Sequence, residues 1–116
     1  MKFIIINIMD WYIIEYLYPE SYKLFIKTMY PNTGLISLSL LKNFDIKKLY
    51  SFFDKQEIYL ILELYGTNQW NYIIKKNNTF LSDNSLTKNT REEIESDGFM
   101  QCFKHLEFVI NNKQKV

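Results

Sequence analysis

The sequence predicts an α+β domain: a small, mainly antiparallel sheet built on a central β-hairpin, with helices packed on it and a long C-terminal helix. Three observations carry that reading. Residues 53–76, FDKQEIYLILELYGTNQWNYIIKK, hold two runs of β-branched, aromatic and leucine residues, broken once at Gly66-Thr67-Asn68. Several stretches on either side repeat apolar residues at three- and four-residue spacing, as amphipathic helices do. The chain closes on a capping box followed by a broad apolar face.

The hairpin comes first because the other elements must cover it; an isolated hairpin is marginal in water. In its first run Ile58, Leu60, Leu62 and Leu64 share one face, and Tyr59, Ile61, Glu63 and Tyr65 the other. In its second run Trp70, Tyr72 and Ile74 alternate with Asn71, Ile73 and Lys75. A strand has period two, so the turn decides whether Trp70, Tyr72 and Ile74 meet the leucine face. Both faces carry apolar residues. Either helices cover both, the preferred arrangement, or an apolar-aromatic patch comprising Tyr59, Ile61, Tyr65 and Ile73 remains open to a protein partner.

Along the chain, residues 1–9 read as an N-terminal extension or edge strand, and residues 10–116 as a single domain large enough for its own core. The run FIIINIM after Lys2 imitates a signal peptide, but it is short, interrupted by Asn7 and followed by Asp10 without a small-residue cleavage site. It is also far below the ~20 apolar residues that span a bilayer. The expected location is therefore cytoplasmic, with Met9 an alternative start. After Asp10, Trp11, Ile14 and Tyr18 fit one helical face.

Pro19–Tyr30 is the next helix. Proline suits its first position, Glu20 complements its positive end, and Pro31-Asn32-Thr33-Gly34 stops it. Tyr22, Phe25, Ile26 and Met29 form its apolar stripe. Leu35–Leu41 alternates as a short strand. Asp45 offers an N-cap to a helix with Ile46, Leu49, Tyr50 and Phe53 on one side. Past the hairpin, residues 79–82 (TFLS) suggest a third strand of a meander, and residues 82–89 a polar loop. Thr90-Arg91-Glu92-Glu93 is the capping box of the final helix. Ile94, Phe99, Cys102, Phe103, Leu106, Val109 and Ile110 line its apolar face. Gly98 inside that helix costs ~1 kcal/mol against alanine, which points to a close approach to the sheet.

Composition narrows the function classes. The chain has 116 residues and a formal net charge of +1, so no overall field draws it to nucleic acid or anionic membrane. A single cysteine excludes an internal disulfide and fits a reducing compartment. There is no alanine, and thirteen of the fourteen basic residues are lysine. With the wealth of Ile, Asn, Lys, Tyr and Phe, this is the signature of an AT-rich coding sequence. The aromatic fraction of 17% is therefore weak ground for base-stacking chemistry.

No catalytic, cofactor or metal site can be assembled. Glu92, Glu93, Glu95 and Asp97 could in principle hold Mg²⁺ or act as acid and base, but carboxylates at a helix start usually cap it. Cys102 and His105 share a helical face as two metal ligands of about four that a structural site needs. As a nucleophilic pair they lack an orienting third group. The three glycines are isolated, so no phosphate loop is present.

The segments DIKKLYSFFDKQEIYLILEL and TREEIESDGFMQCFKHLE resemble small uncharacterised proteins of tailed bacteriophages and prophages, over roughly Asp10 to Glu107. In these an aromatic helix precedes a hairpin and a charged capping sequence opens the last helix. The resemblance implies a mobile-element origin and no catalytic residues. The first functional expectation is thus a non-enzymatic accessory protein that binds a protein partner in the host cytoplasm or the virion: a host or defence factor it inhibits, or a virion component. The second is a nucleic-acid-binding module using Lys42, Lys47, Lys48, Lys75 and Lys76 with aromatic stacking. A small enzyme comes third, because nucleophile, base and oxyanion support cannot be named.

Overall fold

A computed structural model describes residues 10–31, 46–64, 66–67, 69–77, 79–83 and 90–114. The described elements are helices α1 (Trp11–Leu17), α2 (Pro19–Met29) and α3 (Ile46–Lys55), strands β1 (Ile58–Leu64), β2 (Trp70–Lys76) and β3 (Thr79–Asp83), and helix α4 (Arg91–Gln114). Together they form the expected α+β fold, with a three-stranded antiparallel sheet in the order β1-β2-β3. The N-terminal extension, the Leu35–Leu41 strand, the Asp45 cap, residues 84–89 and Tyr65 lie outside the described residues. Among those described, no helix is long and apolar enough to cross a membrane.

The hairpin register places Leu60 opposite Ile74, Leu62 opposite Tyr72 and Leu64 opposite Trp70. The leucine face and the Trp70-Tyr72-Ile74 face therefore coincide, as period two allows. Between β2 and β3, Ile74 pairs with Ser82 but Lys75 pairs with Phe80, so Leu81 is an extra residue at a bulge. The strand runs on to Asp83, taking the first two residues of the segment read as a loop. Asn77 makes the connecting turn at φ +56°, in the left-handed region that asparagine tolerates.

The helices form as their stripes dictate. Asp10 caps α1, its carboxylate accepting from the Ile13 backbone N–H at 3.1 Å, and Trp11 and Ile14 are buried. In α2, Tyr22 and Phe25 are buried and Ile26 and Met29 pack beside them. In α3, Leu49 and Phe53 are buried as expected, and so is Phe52, which the stripe did not include. Phe52 is enclosed because α3 has neighbours on two sides: its ring meets Phe25 of α2 at 5.2 Å and Phe103 of α4 at 6.4 Å.

The long helix organises the core. α4 crosses β1 and β2 and also packs against α1 and α2, while α3 packs on β1 and α2. Phe103 sits among Trp11, Phe25, Phe52 and Phe53, with ring centroids 5.0 to 6.4 Å apart. These separations are those of favourable edge and offset contacts. Gly98 is where α4 touches the sheet: a Cβ there would stand 2.5 Å from Leu60 Cδ1, so only glycine fits without displacement.

Polar links also fasten the helices. The backbone N–H of Ser21 donates to Glu107 Oε1 at 2.8 Å, and that of Glu20 to Glu107 Oε2 at 3.4 Å. A carboxylate of α4 thus satisfies the first turn of α2, whose own cap residue, Tyr18, makes no side-chain bond. The Ser21 hydroxyl donates in turn to the Phe103 carbonyl at 3.0 Å. Elsewhere the Tyr50 hydroxyl of α3 donates to the Glu95 carboxylate of α4.

Candidate functional site: the outer face of the sheet

Strand alternation puts Tyr59, Ile61, Ile73 and Lys75 on the sheet face opposite Leu60 and Ile74. The first expectation, helices on both faces, is corrected here. Tyr59 and Ile61 are 40% and 41% exposed, whereas Leu60 and Ile74, one residue away, are buried. The reason lies in the path of the helices: α3 and α4 both meet the sheet on its leucine side, where Gly98 admits α4 closely.

The register organises this outer face into rows across the strands. Tyr59 of β1 pairs with Lys75 of β2, which pairs with Phe80 of β3. Ile61 pairs with Ile73 in the next row. Phe80 is 64% exposed, and the Lys75 ammonium lies above its ring, 5.4 Å from the centroid. That is within cation–π range. Ile73 is half-buried, as suits a central strand.

Phe80 was not among the residues singled out from the sequence. Its face is set by the turn: Lys76 pairs with Thr79 and Lys75 with Phe80, and the bulge at Leu81 lies beyond it. Of the four candidate interface residues, Tyr59, Ile61 and Ile73 come together, and Tyr65 lies outside the described residues.

The lysines proposed for nucleic acid do not converge in the same way. Lys75 and Lys76 are consecutive in β2, so they belong to opposite faces. Lys47 and Lys48 are on α3, and the Lys48 ammonium lies 5.1 Å from the Tyr30 ring centroid. Lys42 is outside the described residues.

The remaining candidates are structural in their surroundings. Glu93 accepts from the Thr90 hydroxyl at 2.9 Å while its backbone N–H donates to Thr90 Oγ1 at 3.2 Å, which is the expected cap with the carboxylate turned to the hydroxyl. Glu95 is held by Tyr50. Burial pushes the Cys102 thiol up, away from the thiolate that nucleophilic or metal chemistry needs. Burial, then Lys104, lowers the His105 pKa below its ordinary value. Among the described residues, no three of His, Cys, Asp and Glu are grouped to hold a metal ion.

No family model, curated protein or solved structure matches the chain.

Proposed function

We propose that this chain is a non-enzymatic accessory protein of a phage or mobile element that works by binding a protein partner through the outer face of its sheet. The observation that carries the reading is the in-register patch of Tyr59, Ile61, Ile73 and Phe80 on the outer face, where Tyr59, Ile61 and Phe80 are exposed while Ile58, Leu60, Tyr72 and Ile74 of the other face are buried under helices. Exposed apolar residues scattered singly are ordinary; a contiguous row of aromatic and branched residues marks an interaction site. Tyrosine is also enriched among residues that dominate interface energetics. The mobile-element origin is supported by the AT-rich coding signature and by the resemblance of the α3–hairpin and α4 segments.

A nucleic-acid role has less support, since Lys75 and Lys76 lie on opposite faces of the sheet and the net charge is only +1. Affinity purification of the tagged full chain from its native host, beside a Tyr59→Ala/Phe80→Ala double variant, tests the proposal. One dominant protein should be recovered in fixed stoichiometry with the parent chain and lost with the double variant, whose thermal melt should stay near that of the parent. Recovery of the same protein by both chains would move the interface off this face. Tight binding of single-stranded oligonucleotide that weakens steeply with salt would replace the reading with the nucleic-acid one.

A further inference from the structure

We draw no further inference here: the strongest candidate, the exposed apolar patch of Tyr12, Ile13, Tyr16 and Leu17 on the side of α1 away from the buried Trp11 and Ile14, carries nothing because nothing in the structure shows what covers it.

Discussion

On the inner face of the sheet, Ile58, Leu60, Tyr72 and Ile74 are buried beneath α3 and α4, while on the outer face Tyr59, Ile61 and Phe80 stay in solvent. Both faces draw on the same branched and aromatic residues, so hydrophobicity does not decide which is covered. Two features outside the hairpin do. Gly98 lets α4 approach Leu60, and Glu107 ties α2 to α4 so that the helices stack on one side. Covering a sheet face depends on a partner shaped to fit it, here one with a glycine at the contact. The outer face has apolar residues of its own and no such partner within the described chain.

Removing the centre of the inner side should have the largest effect. Phe103→Ala deletes a ring packed on four aromatic neighbours and should destabilise by ~3–5 kcal/mol, read as a lower urea midpoint. Glu107→Ala should cost ~1–3 kcal/mol, because the buried N–H of Ser21 loses a charged acceptor. Glu107→Gln, which keeps an oxygen acceptor, should cost less. If the two substitutions prove equal, the carboxylate charge and its hydrogen bonds are not what joins α2 to α4.

Gly98→Ala sets the gain of ~1 kcal/mol in helix propensity against overpacking of Leu60, which typically costs ~1–3 kcal/mol. The net should be a destabilisation of about 1 kcal/mol. In the Leu60→Ala background the same change should stabilise, since the clashing methyl is gone, and a double-mutant cycle will read that reversal of sign. A cycle with no coupling would mean that α4 and the sheet are not in the contact described.

Alkaline pH probes the same side more gently. Burial, then the nearby Glu15, pushes the Tyr22 phenol up to about 12 from an ordinary value of 10. The folded state holds this proton more tightly than the unfolded chain, so the associated stability is complete below pH 10 and is lost as pH rises through 12. Tyr22→Phe should therefore show a shallower decline over that window than the parent in pH-dependent urea titrations. Smallest of all, Tyr59→Ala and Phe80→Ala should each shift stability by about 0.5 kcal/mol or less, because exposed truncations leave no cavity. A loss as large as that of Phe103→Ala would show that the outer face is part of the core and not a surface.

Local features were legible in the sequence to the extent that the chain itself enforces them. The hairpin register follows from period-two alternation on either side of Gly66, and the α4 start from Thr90 and Glu93. Gly98 stood out because glycine inside a helix needs a reason. What could not be read depends on residues far apart. Glu107 looks like any acid on a helix until Ser21 is beside it, some 86 positions earlier. Phe52 falls outside a one-sided stripe because its burial comes from a second neighbouring helix. Phe80 joins the outer face through the register that the turn at Asn77 sets between β2 and β3. Whether helices cover both faces or one could not be read for the same reason: it depends on the joint path of α3 and α4.

The bond between Glu107 and the start of α2 also bears on the order in which the molecule can be made. A ribosome delivers α2 early, when the carboxylate that will satisfy its first turn has not yet been synthesised. The rings of Trp11 and Phe25 likewise wait for Phe103. Until α4 emerges, Trp11, Phe25 and Phe52 have one another but lack the Phe103 ring they pack around. Completion of this core is thus deferred until α4 has left the ribosome, and up to then the nascent segment is open to chaperones or to aggregation.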